Sequence, residues 1–136
     1  MNKLVIHTDC GEVIPLFLNM SLACDYRIVA THTIFQKPYF ELGRLPKGGG
    51  AFFLCKMLGN SKTRQLLESD KEMNAIEALD LGIVDQVVPY NDLEKTAIQL
   101  ALRLSNNPTR SLAGIKRLIN YSLKDLKEYL TFENQE

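Results

Sequence analysis

Val13-Ile14-Pro15-Leu16-Phe17-Leu18-Asn19-Met20-Ser21-Leu22-Ala23-Cys24-Asp25-Tyr26-Arg27-Ile28-Val29-Ala30 is the stretch on which the reading of the fold turns. Pro15 suits the first turn of a helix, where its missing N–H would have no intrahelical partner. The segment Pro15–Cys24 that follows is apolar almost all round, which predicts a helix buried on every side. Asn19 is its polar exception, read as a hydrogen-bonded core amide. Tyr26–Ala30 reads as a strand. Asp25, at the junction, is expected to orient the helix-to-strand turn through local hydrogen bonds.

Upstream, Leu4-Val5-Ile6 reads as a short buried strand at the very start, and Gly11 as a turn. Downstream, Thr31–Pro46 is broken by Pro38, Gly43 and Pro46 and reads as irregular. Gly48-Gly49-Gly50 is expected to permit a tight turn and close helix packing before a helix Ala51–Leu58, stopped by Gly59. No Walker pattern follows Gly48, which weakens a nucleotide reading. Ser61 is expected to cap the next short helix. Asn74 with Glu77 forms a capping-box pattern ahead of Ala75–Leu81, and Gly82 ends that helix. Ile83–Val88 reads as a strand closed by Pro89.

The remainder predicts helices. Asn91 with Glu94 offers a second capping-box pattern, and Leu93, Ala97, Leu100, Ala101 and Leu104 recur on one face. Leu112, Ile115 and Ile119 line the helix after Pro108. Ser122 is expected to cap a last helix that turns Leu123, Leu126 and Leu130 inward. These amphipathic helices need a partner surface. The order of elements is that of an α/β chain with a parallel sheet, in one domain. Residues 1–89 would form the core sheet and helices, and 90–136 a helical C-terminal region. Only three strands are legible, so the sheet would be short, with exposed edges.

Composition narrows the function. Sixteen basic residues balance sixteen acidic ones, which speaks against a nucleic-acid partner or a polybasic membrane surface. The longest apolar stretch, Val13–Cys24, is too short to span a bilayer. No signal peptide is expected, because Lys3 and Asp9 interrupt the apolar start. Cys10, Cys24 and Cys55 lack the spacing of zinc ligands or a redox pair. Cys24 and Cys55 read as buried thiols, consistent with a cytoplasmic chain. His7 has no visible partner, and His32 reads as a surface residue. Lys37, Lys47, Lys56 and Lys116 read as solvated.

Four segments together, in order, carry a resemblance. They are Ser21-Leu22-Ala23-Cys24-Asp25 with Arg27-Ile28-Val29-Ala30; Phe35, Pro38, Leu42-Gly43, Pro46 and glycines 48–50; Ala75, Ala78, Leu81-Gly82-Ile83-Val84-Asp85 and Val88-Pro89; and Ala97, Ala101, Pro108 and Lys116. On these the chain resembles the C-terminal half of the enoyl-CoA hydratase/isomerase (crotonase) superfamily. The resemblance implies an α/β, partial crotonase-like (ClpP/crotonase) fold, with a short parallel sheet followed by a helical C-terminal region. It implies that the family's first ββα units and last helical segment are absent from this sequence.

The resemblance also implies a lyase or isomerase of acyl-CoA and fatty acid metabolism. The coenzyme A thioester is the substrate or ligand, bound in the full-length form, no metal or other cofactor is needed, and the assembly is a homo-oligomer, a trimer or hexamer. Its chemistry runs through a thioester enolate held by two backbone N–H donors. One donor falls on Leu16, where Pro15-Leu16-Phe17 replaces the family's glycines; the other lies outside this sequence. The two hydratase carboxylates fall on Asn19 and Tyr39. An amide cannot serve as a general base at neutral pH, and an unperturbed phenol titrates only near a pH of about 10. Glu41, two residues beyond Tyr39, is the candidate substitute base, and Tyr39 is either a proton donor, as in some relatives, or a packing residue with a satisfied hydroxyl. Leu16, Phe17, Pro38, Leu42 and Gly43 would line the ligand. Hydration is therefore not expected. The alternatives are a non-catalytic scaffold subunit or an inert fragment of a longer product.

Overall fold

The computed structural model describes residues 3–36 and 45–136. Two small sheets and seven helices make up the described chain. The first sheet is parallel, in the order β1 (Ile6–Asp9), β3 (Tyr26–Ala30), β6 (Gln86–Val88). The second pairs β2 (Glu12–Val13) parallel to β4 (Ile34–Phe35), and β4 antiparallel to β5 (Met73–Asn74). Helix α1 (Pro15–Leu22) joins β2 to β3. Helices α2 (Gly50–Leu58), α3 (Asn60–Glu68) and α4 (Ala75–Asp80) precede β6. A 3-10 turn at Tyr90–Asp92 leads into α5 (Leu93–Ser105), α6 (Thr109–Tyr121) and α7 (Leu126–Glu133).

The strand alternation of β3 divides the core in two. Ile28 and Ala30 face Leu93 and Leu100 of α5. Val29 faces the larger cluster, built from Leu18 and Leu22 of α1, Phe52, Phe53 and Leu54 of α2, and Ala75 and Ala78 of α4. Arg27 shares the Val29 face. Its guanidinium is buried, and its Nε donates to Ile83 O at 2.6 Å. Its Nη1 donates to Cys24 O at 2.8 Å and Ser21 O at 3.1 Å. One cation thus satisfies the carbonyl end of α1 and the turn before β6.

Helix α1 is not buried on every side. Pro15, Leu18, Asn19 and Leu22, spaced as one helical stripe, are buried. Leu16, Phe17 and Met20 face outward, because the described chain covers only one side of the helix. The first strand begins at Ile6 rather than Leu4 and is half-buried, since β1 lies at the sheet edge. The expected strand Ile83–Val88 keeps only its last three residues. The N–H groups of Ile83 and Val84 instead bond to Ala78 O, and that of Asp85 to Arg27 O, closing a turn. The two-residue strands of the second sheet are too short to leave a period in the sequence.

The Asn74–Glu77 capping box is present with both bonds at 2.9 Å. The one expected at Asn91 and Glu94 is not, because the 3-10 turn occupies that entry and α5 has no side-chain cap. Ser61 lies inside α3, and Ser122 donates back to Ile119 O instead of capping α7.

Candidate functional site

The site is built at the start of α1. Ile14 is extended and offers no side-chain cap, and Pro15 has no N–H. The Phe17 and Leu18 N–H groups both bond to Ile14 O, at 3.0 and 3.2 Å. Among the described residues the Leu16 N–H has no acceptor. It is therefore the donor that the positive end of α1 presents outward. Ile14, Leu16, Phe17 and Met20 form an exposed apolar collar beside it, with Leu16 57% exposed.

Asn19 lies one turn further along on the buried side, 6% exposed. Its Nδ2 donates to Lys47 O at 2.6 Å. Gly50, the first residue of α2, packs directly on this amide: a Cβ there would fall 2.3 Å from Asn19 Oδ1. Asn19 borders a small cavity of about 20 Å³ shared with Leu18, Gln36, Pro46 and Leu54. The core-amide reading of Asn19 and the close-packing reading of the glycines agree with this geometry. Tyr39, Glu41, Pro38, Leu42, Gly43 and Lys37 lie outside the described residues.

Lys116 is buried rather than solvated, and its Nζ donates to Asp25 Oδ2 and Lys3 O, both at 2.6 Å. Asp25 also accepts the Val5 N–H at 2.8 Å, so it binds distant segments rather than only its own turn. His7 does have a partner, Asp9, with Nε2 to Oδ2 at 2.9 Å. Lys47 and Lys56 are exposed, as the sequence suggests, although Lys47 donates its Nζ to Glu133 O and Lys56 sits over the Phe52 ring. Cys24 and Cys55 are only half-buried. Burial, opposed by the nearby Arg27, still pushes the Cys24 thiol above its ordinary range. Among the described residues no cluster of His, Cys, Asp and Glu could hold a metal ion, and no helix is long and apolar enough to cross a membrane.

Glu133 escaped the sequence reading. It lies in the last turn of α7 with only 7% of its surface exposed. Its carboxylate accepts the Gly48 N–H at 2.8 Å and the Gly49 N–H at 3.1 Å. Burial, together with this carboxylate nearby, raises the Tyr129 phenol above its ordinary range. A charged residue near a helix end looks solvated in sequence, and only the left-handed backbone of Gly48 and Gly49 turns their N–H groups toward it.

The model of the enoyl-CoA hydratase/isomerase family matches residues 1–136. The chain belongs to this family. It is 30% identical over 136 residues to the short-chain-enoyl-CoA hydratase of Clostridium acetobutylicum, a match covering 99% of this chain and 52% of that protein. It is 32% identical over 118 residues to the carnitinyl-CoA dehydratase of Salmonella typhi, covering 87% and 45%. An enoyl-CoA hydratase structure from Bacillus halodurans superposes with a TM-score of 0.91 at 26% identity, over 99% of this chain and 55% of that one. The chain spans about half the length of the curated relatives it matches. The enoyl-CoA hydratase/isomerase fold accounts for the short parallel sheet followed by helices.

Proposed function

We propose that this chain binds acyl-CoA thioesters through the Leu16 N–H and does not hydrate them. The observation that carries this reading is the state of α1. Its one outward amide sits in an apolar collar, while Asn19, which the resemblance puts at a carboxylate position, donates its amide to Lys47 O. A helix-end N–H beside apolar surface suits a thioester oxygen carrying partial negative charge. Asn19 has no basic lone pair with which to activate water. Tyr39 would serve as proton donor and Glu41 as base in an isomerase-type proton shift. Pro38, Leu42 and Gly43 would line the ligand with Leu16 and Phe17.

Calorimetric titration with crotonyl-CoA and with free CoA tests binding, and loss of the conjugated enoyl absorbance tests hydration. Saturable binding of the thioester, tighter than that of CoA, with no hydration above the blank is expected. Brisk hydration overturns the proposal, and so does failure of every acyl-CoA tried to bind. If an isomerase activity is measured, Tyr39→Phe is expected to abolish it while leaving the chain folded.

A second reading, an oligomerising scaffold, is favoured by α6, whose Ile115, Leu118, Ile119 and Tyr121 are all exposed. Light scattering decides it: a trimer or hexamer supports a scaffold, and a monomer removes it.

A further inference from the structure

Glu133 and Asn19 are 114 positions apart, yet four consecutive residues connect them. Lys47 donates its Nζ to the Glu133 main-chain oxygen, and its own carbonyl accepts from Asn19. Gly48 and Gly49 give both their N–H groups to the Glu133 carboxylate. Gly50 then closes against the Asn19 amide. The turn 47–50 is therefore gripped by α7 on one side and grips α1 on the other.

The chemistry makes this a fixed joint. Gly48 and Gly49 both hold left-handed backbone, at φ 80° and 77°, which leaves two amides converging on one acceptor. A carboxylate is the acceptor that such a pair favours most, because the bonds are charge-assisted and lie at the N-terminus of α2. Burial of Glu133 removes competing water. Without the anion, two converging N–H groups would lose their acceptor and the turn its reason to keep that shape.

We infer that Glu133 is a positioning residue: it sets the 47–50 turn, through that turn the seat of Asn19, and, because Asn19 and Leu16 belong to the same short helix, the pose of α1 and of the Leu16 N–H at its start. Only the last link rests on the proposed acyl-CoA site. The partner of the Gly48–Gly49 pair is thus part of the chain itself, supplied from its last helix.

The test uses the ¹⁵N-labelled full chain carrying Glu133→Gln or Glu133→Ala. In both, the Gly48 and Gly49 amides and the Asn19 side-chain NH₂ are expected to change chemical shift. Hydrogen-exchange protection at Gly49 is expected to fall by about tenfold or more, the size expected for one lost charge-assisted hydrogen bond. Added acetate is expected to restore the Gly48 and Gly49 shifts in the alanine variant, whose truncated side chain leaves room for it. Leu100→Ala, in the other core cluster, is the control: it lowers Tm without moving the Asn19 signal.

Crotonyl-CoA affinity is expected to weaken by about tenfold in Glu133→Gln. Should Glu133→Ala not fold, the near-isosteric glutamine variant decides. An unmoved Asn19 signal in folded Glu133→Gln overturns the inference. Moved local signals with unchanged affinity overturn the link to Leu16. Absence of binding by the unaltered chain is a failure of the proposed function, and the shift and acetate measurements still decide the Glu133–Asn19 joint.

Discussion

Replacing Gly50 by alanine puts the packing between α1 and α2 to a quantitative test. The new Cβ would lie 2.3 Å from Asn19 Oδ1, 2.8 Å from its Cγ and 2.9 Å from its Nδ2. Separations this short do not occur between non-bonded atoms, so the amide must move. It is buried on the inner stripe of α1 and cannot swing into solvent. Overpacking of this kind costs about 1–3 kcal/mol. Losing the Asn19–Lys47 bond strands a buried donor, at about 1–3 kcal/mol more. Against this, alanine is a better helix former than glycine by about 1 kcal/mol.

The balance is a destabilisation of about 3 kcal/mol. With a urea slope of about 1.5–2 kcal/mol/M, the unfolding midpoint followed by far-UV circular dichroism falls by about 1.5–2 M. The decisive comparison is a double-mutant cycle. In an Asn19→Ala background the added methyl enters vacated space, so Gly50→Ala becomes neutral or stabilising by up to about 1 kcal/mol. An equal cost in both backgrounds would refute the packing argument. So would a cost below about 0.5 kcal/mol in the unaltered chain, which is the size of an unremarkable surface substitution.

Lys116→Met leaves Asp25 as an uncompensated, largely buried carboxylate and is expected to cost about 3 kcal/mol in urea unfolding. The double variant with Asp25→Asn is expected to recover part of that loss; no recovery removes the ion pair as its cause. Tyr129 carries a phenol whose pKa is raised by burial and then by Glu133, so the folded state holds that proton more tightly than the unfolded state. Its contribution is complete below the ordinary value of 10.0 and is lost as pH rises through the folded value. Tyr129→Phe is accordingly expected to flatten the decline of Tm above that pH, and an unchanged alkaline slope refutes the assignment.

The elements that announced themselves in the sequence did so through chemistry confined to neighbours. Pro15, the Asn74–Glu77 pair, Gly59 and Gly82 act within a turn or two of themselves, and each stands where the residues place it. The β-rich run Tyr26–Ala30 also needs no distant information. Charged side chains whose partners are remote look solvated in sequence. Lys116 reaches Asp25 across 91 positions, and Glu133 reaches Gly48 across 85. Nothing in a lysine or glutamate near a helix end distinguishes burial from solvation. The inner and outer stripes of α1 are illegible for another reason: the outer one is wholly apolar and the inner one carries Asn19 and Ser21, so polarity does not mark which one meets the core. Of the candidate site, Leu16 is marked only by the family register, whereas Asn19 also stands out as a polar residue in an apolar helix, and what the structure adds is their opposite environments.

The missing hydrogen on Pro15 has one more consequence. Most helices open with a cluster of amides that can wrap an ion from several directions. Here the proline supplies none and the next turn's donors close on Ile14, so the positive end of α1 speaks through a single bond vector. A polyanion such as phosphate, which needs many donors at once, gains little from such a terminus. One carbonyl-like oxygen, approaching along one line with apolar surface at its flanks, gains most of what is on offer.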